Sequence, residues 1–151
     1  MIRARVLIFA LGVVAAILLI GCDAIRFESK PSSSNPIRRG EELYNANCLV
    51  CHGGATGGFM MDYPPRHNAN GHTWHHPDCQ LTDVVLNGGG EMGEMMRSMM
   101  NIPDSVPRMP AWKDKLSQED IAAILAFIKT FWTEDQRLFQ ASITRQQCKG
   151  A

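Results

Sequence analysis

The chain contains the stretch Cys48-Leu49-Val50-Cys51-His52, which places two thiols and one imidazole within a single short segment. Two cysteines separated by two residues occur in zinc sites, in redox disulfides and at sites of covalent haem attachment. A histidine directly after the second cysteine is required only for haem attachment, where it reaches the iron. A zinc site would need a second ligand pair at matching spacing, and none is obvious. The stretch therefore predicts one covalent haem c per chain, held by Cys48 and Cys51, with His52 as an iron ligand.

The first residues resemble a bacterial export signal, which this prediction requires because haem c is attached outside the cytoplasm. A basic start precedes an apolar run over residues 6–20, which is too short to span a bilayer comfortably. The run ends in Leu19-Ile20-Gly21-Cys22, which resembles the lipobox that is cleaved before a lipid-carrying cysteine. We therefore expect a lipoprotein signal peptide over residues 1–21 and membrane attachment through a lipid on Cys22. The alternatives are a plain signal peptide or an uncleaved anchor helix.

The rest of the chain divides into three predicted parts. Residues 22–36 are predicted to form a flexible tether, because residues 28–36 are polar and rich in Ser and Pro. Residues 37–132 are predicted to form one haem-binding domain, and residues 133–151 a C-terminal helical extension. Asp23 resembles the signal that keeps some lipoproteins on the inner membrane. We therefore expect the domain at the periplasmic face of that membrane.

Two cysteines receive no role from these motifs. One of the five cysteines is predicted to carry lipid and two to carry haem, which leaves Cys79 and Cys148. In an oxidising compartment these two either form a disulfide or remain free thiols, and the sequence does not choose between the two states.

The charge balance argues against one class of partner. Lys and Arg together number 15, Asp and Glu together number 15, and the formal net charge is +0. Domains that bind nucleic acid are usually basic, so we expect no nucleic-acid partner.

Helix signals recur along the domain, and no stretch shows convincing strand alternation. The predicted helices cover approximately residues 37–50, 78–88, 117–128 and 133–146. Asp78 is the expected N-cap of the second helix, and Ser117 with Asp120 forms a capping box at the start of the third. The fold class is therefore predicted to be all-α, with three to four helices wrapped around one haem.

These features together resemble the class I c-type cytochromes, of the single-haem bacterial lipoprotein type, over approximately residues 37–132. The residues that carry the resemblance are Gly40, Tyr44, the stretch from Cys48 to His52, Met109-Pro110-Ala111-Trp112 and the helix over residues 116–128. The resemblance implies a small cytochrome c fold, in which the first and last helices cross at a small residue. Gly40 and Tyr44 are then expected to meet the region of Ala126 and Phe127.

The resemblance also implies a second iron ligand. In that family this ligand is a Met shortly before the last helix, often followed by Pro, and Met109 has this position here. His52 and Met109 are then the two metal ligands, and a thioether raises the reduction potential because it favours ferrous iron. With both axial positions filled, small molecules are excluded from the iron.

Other methionines lie close to Met109 in sequence. They recur at the spacing of one helix face and are Met92, Met95, Met96, Met99 and Met100. One interpretation is an apolar stripe that packs over the haem or beneath a loop. The others are a thioether patch for Cu(I) and a docking surface for a partner.

A histidine-rich segment over residues 71–78 places His72, His75 and His76 around Trp74. Pro77 favours an extended loop, in which the imidazoles bond haem propionates or backbone carbonyls. The alternatives are copper binding together with the methionines, and His72 or His75 as an iron ligand.

The function that these features favour is membrane-tethered electron transfer without catalysis. We expect the chain to pass single electrons between a membrane donor and an oxidase or reductase acceptor. The main alternative is a copper-handling or copper-sensing haem protein that uses His72, His75, His76 and the methionines. A third is dissociation of Met109, which leaves an open iron for peroxidase chemistry or gas sensing.

Overall fold

Six α-helices and two 3₁₀ turns form the secondary structure of residues 35–57 and 63–148, which are the residues that the computed structural model describes. The helices are α1 (Pro36–Asn47), α2 (Leu49–His52), α3 (Asp78–Asn87), α4 (Gly90–Met99), α5 (Gln118–Ile128) and α6 (Glu134–Gln147). No strand occurs within these two ranges, and the predicted all-α class is confirmed. The predicted count of three to four helices is too low. Cys48 separates α2 from α1, and most of the clustered methionines lie in a helix of their own, α4.

Several predictions about the N-terminal region concern residues outside the described ranges. These are the signal peptide over residues 1–21, the lipid on Cys22 and nearly all of the tether over residues 22–36. Within the described ranges, no helix has both the length and the hydropathy of a membrane span. All six helices belong to one compact unit within residues 33–151.

Capping chemistry sets the starts of three helices. The Asn35 side chain accepts a hydrogen bond from the backbone N–H of Ile37 at 2.9 Å, and Pro36 occupies the first turn of α1. The capping box of Ser117 and Asp120 is present at α5, as predicted. A second capping box, in which Thr133 pairs with Gln136, begins α6.

The expected N-cap of α3 is wrong by one residue. Pro77 is the N-cap, and Asp78 is the first residue of the helix. The Asp78 carboxylate instead accepts hydrogen bonds from Lys129 at 2.7 Å and from Gln140 at 2.8 Å. Asp78 therefore joins α3 to the C-terminal part of the chain, because distant partners occupy the oxygens that would cap a helix.

The core forms where α1 crosses α5. Tyr44 of α1 is fully buried, as are Ile121 and Ile124 of α5, and burial of an aliphatic side chain of this size contributes roughly 1.5–3 kcal/mol. Gly40 permits the close approach, because a Cβ atom at this position would lie 1.9 Å from the carbonyl oxygen of Ala123. The predicted crossing is therefore present. The same Cβ atom would lie 3.0 Å from the Cβ of Phe127, and the ring centroids of Tyr44 and Phe127 lie 5.5 Å apart, although the tightest contact of Gly40 is with Ala123.

Helix α6 is joined to the start of α3 by a disulfide and by hydrogen bonds. Cys79 and Cys148 form the disulfide, with Cα atoms 5.7 Å apart, which settles the alternative that the sequence left open. Gln140 is only 1% exposed and donates to the backbone oxygen of His76 at 3.2 Å. Thr144 accepts from the backbone N–H of Asp78 at 3.0 Å. The predicted C-terminal extension is thus packed against the domain.

Candidate haem site

The two cysteines of the predicted attachment stretch flank the short turn that connects α1 to the following loop. Cys48 lies between α1 and α2, Cys51 lies within α2, and Gly53 ends the helix with a φ of +70°. Both thiols are unpaired; Cys51 is exposed and Cys48 is half-buried. Burial, assisted by the nearby Cys51, raises the pKa of Cys48 to about 11, so this group is a thiol at neutral pH. Neither cysteine is committed to a disulfide, and both are available to form thioether bonds.

His52 has the hydrogen bonding of a metal-binding imidazole. Its Nδ1 lies 2.7 Å from the carbonyl oxygen of Pro65, which accepts and never donates, so Nδ1 carries the proton. The lone pair then resides on Nε2, the nitrogen that remains for a metal. Burial lowers the pKa of His52, although the bond to Pro65 opposes part of this effect. The ring is therefore neutral at pH 7, as ligation requires, and these residues fit haem c.

A second histidine, His67, lies against the ring of His52. The two ring centroids are 4.1 Å apart and the planes differ by 18°, which is a stacked arrangement. Burial lowers the pKa of His67 well below its usual value, and the charges of His52 and His72 act in the same direction. No sequence motif indicated this residue, because it lies outside both the attachment stretch and the histidine-rich segment.

Tyr44 connects His67 to the turn that carries His52. The Tyr44 hydroxyl donates to the carbonyl oxygen of Gly53 at 2.6 Å and lies 3.3 Å from Nδ1 of His67. Burial raises the pKa of Tyr44, so the hydroxyl keeps its single proton. Because that proton points to Gly53, the His67 Nδ1–H is the donor in the second contact.

Met109 lies in the segment that precedes α5, where the resemblance placed the second ligand, and it is half-buried. The end of α3 holds the backbone of this segment. Trp112 donates its backbone N–H to Val85 at 3.1 Å and to Leu86 at 3.2 Å. A Cβ atom on Gly88 would lie 2.7 Å from the backbone oxygen of Met109, and Gly88 has a φ of +75°. Only glycine therefore suits this contact, in both space and conformation.

Arg97 organises the loop between α4 and Met109. Its side chain is 4% exposed, and it donates to the backbone oxygens of Pro103 at 2.8 Å and Val106 at 3.1 Å. Its guanidinium also lies 5.8 Å from the centroid of the Tyr63 ring. A buried charge needs such partners, so the loop folds around this side chain.

The clustered methionines, whose spacing matches one helix face, lie mainly in α4, but their side chains are not uniformly covered. Met95 is 49% exposed and Met99 is 70% exposed, whereas Met96 and Met100 are half-buried. The side chain of Met92 lies outside the described part. Among the side chains of α4 that the structure describes, Arg97 is buried and the methionines are not.

The histidine-rich segment forms a 3₁₀ turn over Thr73–His75 instead of the expected extended loop. His75 stacks on Trp74 at a centroid distance of 3.6 Å, and His76 contacts Gln80 through Nδ1 at 3.3 Å. Within residues 35–57 and 63–148, no group of three or more His, Cys, Asp or Glu side chains is arranged to hold a metal ion. The copper alternative gains no support from these contacts and stays a prediction.

Comparison with known proteins identifies the family. Residues 35–128, more than half of the chain, match the family model described as cytochrome c oxidase, cbb3-type, subunit III. The chain belongs to this family of c-type cytochromes. It is also similar to the chloroplastic cytochrome c6 of Chlamydomonas reinhardtii, at 28% identity over 119 residues, which cover 79% of this chain and 66% of that protein. No solved structure matches.

The family assignment confirms two predictions. The class I c-type cytochrome was the family inferred from the sequence, and covalently bound haem c is its cofactor. Cytochromes of this family are electron carriers rather than enzymes, and they act outside the cytoplasm. The described residues of this cytochrome supply two free thiols and a neutral imidazole on one turn, which agrees with the cofactor.

Proposed function

We propose that this cytochrome is a membrane-tethered electron carrier at the periplasmic face of the inner membrane. Cys48 and Cys51 attach the haem, and His52 and Met109 are the axial ligands. Its partners are a membrane donor and an oxidase or reductase acceptor, between which it passes single electrons. The observation that supports this proposal most directly is the hydrogen bond from His52 Nδ1 to Pro65, which leaves Nε2 ready to bind iron beside two unpaired thiols.

The haem supplies an iron that cycles between ferric and ferrous states. The protein contributes ligands that keep their positions in both states. Pro65 holds the ring of His52, and the hydrogen bonds of Trp112 hold the Met109 segment against α3. The Met109 thioether is a soft, neutral donor that favours the reduced state. With both ligands held, little reorganisation accompanies electron transfer.

The tether is supported by the sequence of residues 1–22. Acyl chains on Cys22 contribute about 0.8 kcal/mol per buried methylene group, so several chains hold a protein on a membrane durably. A permanent tether also raises the effective concentration of the carrier near membrane partners. The Cys22→Ser variant should appear in the soluble fraction. If it stays in the membrane fraction through residues 6–20, the lipid-anchor proposal is wrong.

Absorption spectra of the oxidised and reduced holoprotein test the ligands. The protein is expressed with the cytochrome c maturation machinery, as wild type and as Met109→Ala. The far-red band of methionine bound to ferric iron should be present in wild type and absent in Met109→Ala. Met99→Ala is the matched control, because Met99 is 70% exposed, and it should retain the band.

Two outcomes contradict the ligand proposal. One is a far-red band that persists in Met109→Ala, which moves the ligand to another side chain. The other is ready binding of carbon monoxide by reduced wild type at neutral pH, which indicates an open iron and favours catalysis or gas sensing.

A further inference from the structure

We propose that His67 is a positioning residue that sets the orientation of the His52 ring and thereby tunes the iron. The inference rests on the proposed ligation by His52. Nothing in the attachment stretch calls for a second imidazole at this place. It is the stacked geometry, with centroids 4.1 Å apart and planes inclined by 18°, that identifies the role.

The stack supplies a restraint that the hydrogen bond of His52 does not. The bond from Nδ1 to Pro65 holds one atom of the ring at 2.7 Å, and the ring plane still has freedom to rock about that atom. A near-parallel ring at 4.1 Å removes this freedom, because rotation of His52 out of its plane drives its edge into the face of His67. One point and one plane together define the orientation of the ligand.

His67 suits this role because it is itself held from two sides. Its Nδ1–H contacts the hydroxyl of Tyr44 at 3.3 Å, and its backbone oxygen accepts from Nε1 of Trp132 at 2.9 Å. Tyr44 and Trp132 are 0% and 3% exposed. Tyr44 also donates to Gly53, the residue that follows His52, at 2.6 Å. The α1–α5 core thus fixes the ring of His67 and the turn that carries His52 relative to each other.

The orientation of an axial imidazole plane matters for the iron electronically. It determines which iron d orbital overlaps the imidazole π system, and hence the g values and the distribution of unpaired spin over the ferric haem. Groups outside the ligand shell that orient a histidine are a general means of adjusting a metal site. Loss of the His67 ring should therefore change these signatures while both axial ligands stay in place.

Two substitutions separate the flat ring from the rest of the side chain. His67→Leu fills the same space with an aliphatic side chain but removes the flat ring that stacks on His52. His67→Phe keeps a flat ring but loses the contact with the Tyr44 hydroxyl. His75→Leu is the matched control, because His75 also stacks on an aromatic ring but is exposed and lies against Trp74. The measurements on each holoprotein are the ferric electron paramagnetic resonance spectrum, the haem methyl proton shifts and the reduction potential.

The expected result is a shift of the g values, the methyl shifts and the potential in His67→Leu. His67→Phe should lie close to wild type, and His75→Leu should be indistinguishable from it. The inference is overturned if His67→Leu matches wild type, or if His67→Phe is displaced as far as His67→Leu. Failure of the underlying ligation is visible separately, because wild type itself then lacks a low-spin histidine–methionine spectrum, and that outcome overturns both proposals.

Discussion

Removal of the Cys79–Cys148 disulfide should destabilise the holoprotein strongly without altering its haem spectrum. The double variant Cys79→Ser/Cys148→Ser removes the covalent link between α6 and the start of α3, while the hydrogen bonds of Gln140 and Thr144 to Asp78 remain. The bond acts mainly on the unfolded chain, whose ends it holds together across a sequence separation of 69 residues.

The size of the effect follows from that separation. The chain-entropy relation gives about 4 kcal/mol at 25 °C for a loop of this length. With a urea slope of about 2 kcal/mol per molar, the midpoint of unfolding should fall by roughly 2 M. Wild type treated with a thiol reductant is the control, because it loses the same bond while the haem thioethers persist, and its midpoint should match that of the variant.

Unfolding is followed by far-ultraviolet circular dichroism and by haem absorption in parallel. Coincident transitions show that α6 unfolds together with the haem domain as one cooperative unit. A midpoint shift below about 0.5 M contradicts the reasoning, since a bond that constrains the unfolded chain then contributes far less than its loop length requires. A change in the haem spectrum of the folded variant contradicts it as well.

Three further predictions concern the core, the Met109 loop and acid stability. Gly40→Ala should lower the free energy of unfolding by about 2–3 kcal/mol, because a Cβ 1.9 Å from the Ala123 carbonyl oxygen forces α1 and α5 apart. Urea titration measures this change, and an unchanged midpoint would show that the helix crossing tolerates a methyl group. Arg97→Met should weaken or abolish the far-red band, since the loop before Met109 loses hydrogen bonds of 2.8 and 3.1 Å, and an unaltered band rules out this role. Burial alone would raise the pKa of Asp120, but bonds from Arg39 and from the Ser117 backbone lower it below its usual value. This carboxylate therefore stabilises the fold above its unfolded pKa of about 3.9, and the contribution is lost as the pH falls through the lower folded pKa. Asp120→Asn should accordingly lose less stability than wild type between pH 5 and 2, and equal losses in the two proteins would refute the linkage.

Much of the helical structure was predictable because its signals are local. The capping box of Ser117 and Asp120 involves groups within one turn of chain, so the residue types alone define where α5 begins. The haem attachment turn is equally local, since Cys48, Cys51 and His52 fall within one short segment. Motifs confined to one short segment specify the same local structure whichever tertiary contacts the rest of the chain makes.

Boundaries were less predictable where distant groups compete for the same atoms. Asp78 has the residue type of an N-cap, yet its carboxylate binds Lys129 and Gln140, which arrive from later in the chain. The contact of Gly40 with the region of Phe127 was predicted, but its tighter contact with the Ala123 carbonyl was not, because the depth at which two helices cross depends on all the side chains between them.

The sequence was sufficient to identify the cofactor, the helical class and the family, because these depend on short motifs and on apolar periodicity. It did not reveal that His67 stacks on His52, that Arg97 holds the Met109 loop or that Cys79 pairs with Cys148. The disulfide joins residues 69 positions apart, whereas the His67 stack and the Arg97 contacts depend on how a loop folds back on the helix before it, which no local motif specifies. Their energies depend on distance and burial, and the folded arrangement alone sets both quantities.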